Sequence, residues 1–120
     1  MKKNLIRILI ADDNPDIRSA LTLLLETRLN VQIIGEADNM EDLLSGVARL
    51  HPDIAILDWE LPGLPEKGRV AALRLLNPGL KVVITSSRPE IAHQALAAQA
   101  DSYVSKSEPP EQVVRLIQAL

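Results

Sequence analysis

Residues 54–63 have the sequence IAILDWELPG, and this stretch decides the fold of the chain. Residues 54–57 form an unbroken apolar run as long as one strand, which is typical of a strand buried on both faces of a parallel sheet. The run ends in a carboxylate, Asp58, after which Leu61-Pro62-Gly63 predicts a turn. In open α/β sheets, ligands bind beyond the carboxyl ends of the strands. Asp58 is therefore predicted to lie where such a fold binds its ligands.

Five strand-like segments alternate along the chain with segments that have the apolar spacing of amphipathic helices. The predicted strands are residues 5–10, 31–36, 54–57, 80–85 and 102–105. The predicted helices are residues 15 to about 30, 40 to just before Pro52, about 70–76, about 89–98, and a last helix opened by Pro109 and Pro110. This alternation predicts an α/β fold, a doubly wound five-stranded parallel sheet with strand order 2-1-3-4-5 and helices on both faces.

Local signals mark several helix ends. Asn14 is predicted to cap the first helix, with Pro15 at its first position, and Asp38 or Asn39 is predicted to cap the second. The last helix carries more apolar residues than one buried stripe needs: Val113, Val114, Ile117 and Leu120, with Leu116 on the same side. A homodimer through this helix and a neighbouring element is therefore expected as a possible assembly.

The composition is that of one folded domain spanning residues 1–120. Hydrophobic residues make up 47% of the chain, with no Phe, one Trp and one Tyr, so the core must be aliphatic. The absence of cysteine excludes disulfides and thiolate metal sites and fits a reducing cytoplasm. No apolar run is long enough to cross a bilayer, no signal peptide precedes the first strand, and the net charge of −3 disfavours a broad nucleic-acid footprint. We therefore expect a cytoplasmic domain that by itself binds neither membrane nor DNA.

Polar residues follow four of the five predicted strands, at the end where each strand stops. They are Asp12 and Asp13 after the first strand, Asp58 after the third, Ser86 and Ser87 after the fourth, and Lys106 after the fifth. In the predicted order these four strands are neighbours, so their carboxyl ends meet in one crevice. The sequence thus predicts one site built from all four.

This set of side chains suits phosphoryl transfer. Three neighbouring carboxylates raise each other's pKa values unless a cation joins them, and Mg²⁺ prefers such oxygen ligands. Lys106 could pair with an anionic oxygen, and Ser86 could donate a hydrogen bond. Asp58 would then act as a nucleophile and become an aspartyl phosphate.

Each residue also has an explanation that involves no chemistry. Asp12 and Asp13 could be solvated residues before a capped helix, and Asp58 could be a turn residue. A lone serine or lysine after a strand is a weak signal, since most lysines are solvated. Three further residues are predicted by default to pack in the core: Trp59, Thr85 and Tyr103. The site hypothesis therefore rests on the joint occurrence of its members.

Over essentially its whole length the chain resembles the receiver domain of bacterial two-component response regulators. The matching residues are Asp12-Asp13, Ile56-Leu57-Asp58, Leu61-Pro62-Gly63, Ser86 and Tyr103-Val104-Ser105-Lys106. The resemblance implies a flavodoxin-like (βα)₅ receiver fold in which Asp58 accepts a phosphoryl group from a sensor histidine kinase. Such a domain is a signalling domain, with at most self-phosphorylation from small donors and autodephosphorylation as activities of its own.

The resemblance also assigns roles within the site. It implies that Asp13, Asp58 and the main-chain carbonyl of Glu60 hold Mg²⁺, and that Asp12 helps through water. Ser86 and Lys106 would bind the phosphoryl oxygens.

A switch is implied as well, in which Tyr103 changes rotamer when the Ser86 hydroxyl is drawn to the phosphate. The local sequence around Tyr103 is most similar to regulators with a LuxR-type helix-turn-helix output domain, so the expected output is transcription through a DNA-binding domain or partner outside residues 1–120. Whether the chain is a stand-alone receiver or an excised domain stays open.

The sequence departs from the family pattern on the signalling side. The glycine usual soon after Leu61-Pro62-Gly63 is absent, and residues 65–68 look like a small insertion that hides the start of the third helix. Gln99 stands where a glycine commonly ends the fourth helix, and Ser107 where a proline often follows the lysine.

Three alternative functions stay open at this point. A phosphohydrolase of the haloacid-dehalogenase type also uses an aspartate at a strand end, and Glu60 could be its second acid, although that family usually places the nucleophile on the first strand. A receiver-like interaction module that needs no phosphate would explain the departures near Gly68 and Ser107. A flavin binder is disfavoured, because Asp12 and Asp13 would repel the flavin phosphate.

Overall fold

The structure is a computed structural model that describes residues 5–120. Strands and helices alternate along the chain. The strands are β1 (Ile6–Ala11), β2 (Val31–Ala37), β3 (Ile54–Asp58), β4 (Lys81–Ser86) and β5 (Ser102–Ser105). The helices are α1 (Pro15–Arg28), α2 (Met40–Leu50), α3 (Arg69–Leu76), α4 (Ile91–Ala97) and α5 (Glu111–Ala119). All strands pair in parallel in the order β2-β1-β3-β4-β5, which confirms the predicted topology. The predicted strand ends differ from these by at most one residue and the helix ends by at most two.

Alternate residues of the central strands feed two core layers. Ile8 and Ile10 of β1 pack with α1 and α5 on one face of the sheet, while Leu9 and Ala11 pack with α2, α3 and α4 on the other. Every residue of β3 is buried. Unbroken apolar runs thus become strands covered on both faces, which leaves their carboxyl ends as the place where polar side chains emerge.

Both predicted helix caps form, and Asn39 is the residue that caps the second helix. The side chain of Asn14 accepts hydrogen bonds from the backbone amides of Asp16 and Ile17 at the start of α1. Asn39, and not Asp38, accepts from the amide of Asp42 at the start of α2. The loops after β1 and β2 are therefore pinned to the helices that follow them.

The loop between β3 and α3 depends on two glycines in the left-handed region. Gly63 has φ +122°, and a Cβ built there would lie 2.9 Å from the Cβ of Met40. Gly68 has φ +85° and immediately precedes Arg69, the first residue of α3. The start of this helix, which the sequence left unplaced, is therefore set by a backbone conformation that favours glycine.

Helix α5 does not expose the excess of apolar side chains on which the expected homodimer was based. Val113, Val114 and Ile117 are all buried within the domain, against α1 and the sheet. Leu116 is half-buried, and only Leu120 is exposed, at 41%. The expectation that these side chains would leave a surplus for a partner was wrong, because two adjacent valines both pack into the same core layer.

Candidate functional site

Three carboxylates converge at the carboxyl edge of the sheet. Asp12 and Asp13 follow β1 and Asp58 ends β3, and one oxygen of each lies within 4.8 Å of the other two. Asp12 and Asp58 are each 2% exposed, whereas Asp13 is exposed. An all-oxygen set of this size fits a hard divalent cation, with an open side left for water or a ligand.

Strand register is what brings the carboxylates together. Ala11 of β1 pairs with Leu57 of β3, so the next residue of each strand, Asp12 and Asp58, emerges at the same level of the sheet. The amide of Asp12 continues the pairing by donating to the carbonyl of Ala37 at 3.0 Å. The predicted convergence of Asp12, Asp13 and Asp58 therefore follows from backbone pairing.

Strand register also places Lys106, the fourth member of the site. Ser86 at the end of β4 pairs with Ser105 of β5, and the amide of Lys106 donates to the carbonyl of Ser86 at 2.8 Å. The ammonium of Lys106 lies 2.7 Å from Oδ2 of Asp12 and 3.2 Å from Oδ2 of Asp58. One cation thus bridges the two buried carboxylates.

Burial and charge shift the pKa values in this site. Burial raises the pKa of Asp58, and repulsion from Asp12 acts in the same direction, while the amide of Glu60 and the ammonium of Lys106 oppose the increase. Burial by itself would lower the pKa of Lys106, but its hydrogen bond to Asp12 and the charge of Asp58 outweigh burial and raise it. Lys106 is therefore charged at neutral pH, and the ionised form of Asp58 is incompletely compensated.

The hydroxyl of Ser86 is bound by the side chain of Glu60, a residue for which the receiver resemblance implied only a main-chain role. Ser86 is fully buried, and its Oγ donates to Oε2 of Glu60 at 2.8 Å. The amide of Ser87 donates to the other Glu60 oxygen at 3.4 Å, and the guanidinium of Arg88 lies 3.4 Å from Glu60 and from Glu66. The only available sequence signal was an acidic residue two positions after Asp58.

Tyr103 reaches the same loop from β5. Its ring is half-buried against one core layer, and its hydroxyl donates to the carbonyl of Arg88 at 2.9 Å. Burial raises the pKa of Tyr103. The amide of Arg88 in turn donates to Oγ of Ser86 at 3.0 Å, so Arg88 connects the two predicted switch residues.

Arg69 is a second residue that sequence reasoning missed. It is 5% exposed, and its guanidinium donates to the main-chain carbonyls of Trp59, Leu64 and Pro65. Burial lowers the pKa of Arg69, while the charges of nearby carboxylates act in the opposite direction. An arginine at the start of a helix carries no sequence signal for burial.

The residues predicted to pack do so. Trp59 is 3% exposed and Thr85 5%. Among residues 5–120, Nε1 of Trp59 is the one buried side-chain donor without a hydrogen-bond partner. Over the same part of the chain, none of the helices combines the length and the apolar character needed to span a bilayer.

Comparison with known proteins identifies the same family. The model of the response regulator receiver domain family matches residues 8–118. The transcriptional regulatory protein DesR of Bacillus subtilis is 30% identical over 118 residues, which are 97% of this chain and 58% of DesR. The response regulator GacA of Pseudomonas aeruginosa is 29% identical over 94% of this chain and 54% of GacA. The chain thus spans about half the length of these curated relatives.

Solved structures give the same result. A DNA-binding response regulator of the LuxR family from Staphylococcus aureus superposes with a TM-score of 0.86 at 28% identity, covering 96% of this chain and 98% of that one. A two-component response regulator of the LuxR family from Aurantimonas sp. superposes with a TM-score of 0.87 at 27% identity, covering 97% and 84%. The resemblance inferred from the motifs is confirmed.

Proposed function

The chain belongs to the response regulator receiver family, and on that basis we propose that Asp58 accepts a phosphoryl group from a sensor histidine kinase. The observation that carries the proposal is the placement of Asp58, buried at a strand end, beside Lys106 and within 4.8 Å of two further carboxylates. Family membership does not favour the phosphohydrolase, the flavin binder or the phosphate-independent module. That residues 1–120 act as one receiver domain is part of this proposal.

The donor set fits Mg²⁺. Asp12, Asp13 and Asp58 offer only carboxylate oxygens, the ligands that Mg²⁺ takes in small number together with water, and the main-chain carbonyl of Glu60 would complete the protein ligands. When bound, Mg²⁺ supplies positive charge to the oxygens of the transferring group.

Asp58 is suited to the role of nucleophile. In the transfer, an Oδ atom of Asp58 forms the new P–O bond as the P–N bond to the donor histidine breaks, and the electron pair of that bond leaves with the imidazole nitrogen. Lys106, which lies 3.2 Å from Asp58, would pair with a phosphoryl oxygen after transfer. Because burial raises the pKa of Asp58, its carboxylate is a stronger base, and hence a better nucleophile, than an exposed one.

The switch would consist of an exchange at Ser86. In the resting protein the Ser86 hydroxyl donates to Glu60, and after transfer it would donate to a phosphoryl oxygen instead. Because Oγ of Ser86 also accepts from the amide of Arg88, that exchange would shift the Arg88 backbone and disturb the hydrogen bond that the Arg88 carbonyl accepts from Tyr103. A phosphoryl group adds nearly two negative charges beside Glu60, which favours the exchange.

An apolar cavity beside the site supports a protein donor. It has a volume of about 170 Å³, lies between α1 and the loop after β5, and reaches Lys106. Its lining includes Ile17, Ala20, Leu21, Pro109 and Val113. An apolar side chain on a helix of a kinase could insert there while the kinase presents its phosphohistidine to Asp58.

The output proposed for the whole protein is control of transcription in the cytoplasm. DesR is named a transcriptional regulatory protein, and a structural neighbour is a DNA-binding regulator of the LuxR family. A DNA-binding output domain or partner would supply that contact. A homodimer through α5 would have to use Leu120, the half-buried Leu116 and polar residues of that helix, since Val113, Val114 and Ile117 are buried.

Fluorescence of Trp59, which adjoins Asp58 and is the one Trp of the chain, tests the proposal. We expect a saturable change with Mg²⁺, a second change with beryllium fluoride as a phosphate mimic, and loss of the second in Asp58→Asn. No response to either ligand, or an unchanged response to the mimic in Asp58→Asn, would contradict it.

A further inference from the structure

Arg69 is buried without a carboxylate partner. Within residues 5–120 its guanidinium makes no ion pair within 4.0 Å, and all its hydrogen bonds go to main-chain carbonyls. Nη1 donates to the carbonyl of Trp59 at 3.1 Å, and Nε donates to those of Leu64 at 3.0 Å and Pro65 at 3.2 Å. Nη2 also donates to Leu64. Burying a guanidinium costs free energy unless its N–H groups are hydrogen-bonded. The position of Arg69 therefore depends on the carbonyls around it.

These carbonyls bracket the loop that contains Glu60. Trp59 precedes Glu60, whereas Leu64 and Pro65 lie at the far side of the turn, so one side chain joins both ends of the loop. The planar guanidinium can donate in several fixed directions at once, which a lysine ammonium on its flexible stem cannot reproduce.

The carbonyl of Glu60 lies between two hydrogen-bonded parts of this clamped loop. The carbonyl of Asp58 accepts from the amide of Leu61 at 3.0 Å, that of Trp59 accepts from Arg69, and that of Pro62 accepts from Met40 at 2.8 Å. No residue among 5–120 donates to the carbonyl of Glu60. The loop is thus fixed on both sides of Glu60. The carbonyls of Leu61 and Gly63 are also without a donor among residues 5–120, but Glu60 is the residue whose amide donates to Oδ1 of Asp58, at 3.0 Å, which ties it to the carboxylate cluster.

We propose that Arg69 is a positioning residue that sets the Mg²⁺ affinity of the acidic cluster by holding the Glu60 carbonyl in place as a ligand. The inference rests on the proposed function, because it takes Asp12, Asp13, Asp58 and that carbonyl as the metal site. Arg69 itself touches neither the metal nor the phosphoryl group.

Two roles of Arg69, holding the loop in place and supplying positive charge, predict opposite changes in Mg²⁺ affinity when Arg69 is removed. If Arg69 acted only through its positive charge, replacing it with methionine would strengthen Mg²⁺ binding, because one cation near the carboxylates would be gone. If it acts by holding the loop, the same replacement weakens binding, and lysine, which keeps the charge, restores it only in part. The sign of the change therefore decides between the two.

Helix α3 provides a matched control. Arg74 also donates to main-chain carbonyls, at 2.6 Å to Gln99 and 3.3 Å to Leu80, and it pairs with Asp101 at 2.6 Å. None of these partners belongs to the acidic cluster. Arg74→Met should therefore lower the stability of the fold and leave the metal site unchanged.

The experiment measures Mg²⁺ affinity by Trp59 fluorescence, and stability by urea unfolding, in the wild type, Arg69→Met, Arg69→Lys and Arg74→Met. We expect Arg69→Met to weaken Mg²⁺ binding about tenfold, as removal of a residue that supports a metal ligand usually does. Arg69→Lys should lie between Arg69→Met and the wild type, and Arg74→Met should stay within about twofold of the wild type.

Two results would overturn the inference while leaving the proposed function intact. One is a folded Arg69→Met that binds Mg²⁺ as tightly as the wild type or more tightly. The other is an equal loss of affinity in Arg74→Met at an equal loss of stability. If Arg69→Met does not fold, unchanged affinity in Arg69→Lys overturns it instead. A wild type that binds no Mg²⁺ would remove the proposed function and this inference together.

Discussion

The acidic centre and the loops beside it are built in different ways. Asp12 and Asp58 are nearly fully buried and placed by strand register, with Lys106 bridging them at 2.7 Å and 3.2 Å. Glu60 and Arg88 meet through side chains that are 33% and 46% exposed, at 3.4 Å. Exposed ion pairs of this kind contribute little stability. The first region can therefore hold a site in place, while the second can exchange its partners at small cost.

The largest effect is expected from removing one carboxylate of the acidic centre. Asp13→Asn should weaken Mg²⁺ affinity about tenfold or more, because it removes one of the three charged oxygen ligands proposed for the ion. Since Asp13 is exposed, the fold should keep its stability. Fluorescence titration with Mg²⁺ and thermal unfolding measure the two quantities.

Asp16→Asn is the control for that change. It removes the same charge three residues further on, in the first turn of α1, outside the carboxylate cluster. Equal weakening of Mg²⁺ binding in both variants would mean that overall charge, and not the site, sets the affinity.

A smaller effect is expected from a change at Glu60, in the loop beside the acidic centre. Glu60→Gln keeps the main-chain carbonyl and removes the negative charge that holds the Ser86 hydroxyl. The phosphate mimic should bind about fivefold more tightly, because about 1 kcal/mol of repulsion between two anions is relieved. Mg²⁺ affinity should change little.

Glu66→Gln tests whether this effect is specific. Glu66 also pairs with Arg88 at 3.4 Å but makes no hydrogen bond to Ser86. If Glu66→Gln tightens mimic binding as much as Glu60→Gln does, the resting contact at Ser86 is not what opposes the phosphoryl group.

The raised pKa of Asp58 predicts that ionisation of this buried carboxylate lowers the stability of the fold as pH rises. Because that pKa is raised on folding, the folded protein binds the proton more tightly than the unfolded chain does. The contribution of Asp58 to stability is thus favourable below the ordinary aspartate pKa and is lost as pH rises through the folded-state pKa. Metal-free Asp58→Asn should therefore be more stable than the wild type at neutral pH, by about 1 kcal/mol.

Urea unfolding in a chelator over a range of pH measures this difference. The advantage of Asp58→Asn should shrink on acidification, and Asp16→Asn should show no gain. An Asp58→Asn variant less stable than the wild type at every pH would show that the Lys106 bridge fully compensates the buried charge.

The smallest effect is expected at Tyr103. Tyr103→Phe removes one hydrogen bond to the Arg88 carbonyl and should lower the free energy of unfolding by about 0.5–1 kcal/mol. Thr22→Val removes a comparable hydroxyl-to-carbonyl bond on α1, to Arg18 at 2.9 Å, and should cost a similar amount. A loss above about 2 kcal/mol in Tyr103→Phe alone would mean that this contact is not readily exchanged.

The same contrast explains what the sequence could predict. The strands, their order and the meeting of Asp12, Asp58 and Lys106 follow from apolar runs and parallel pairing, which are local or topological properties. The contacts of Glu60 with Ser86 and of Arg69 with three carbonyls depend on a loop whose path is set by two positive-φ glycines. Periodicity carries no information on that path, so these side-chain roles were missed.

The central claim is that Asp58 is the phosphoacceptor, and intact mass measurement after incubation with Mg²⁺ and a small phosphodonor tests it most directly. We expect one added phosphoryl group that depends on Mg²⁺, lies on the peptide that contains Asp58, and is lost in Asp58→Asn. No adduct in the wild type, or an adduct that persists in Asp58→Asn, would contradict it.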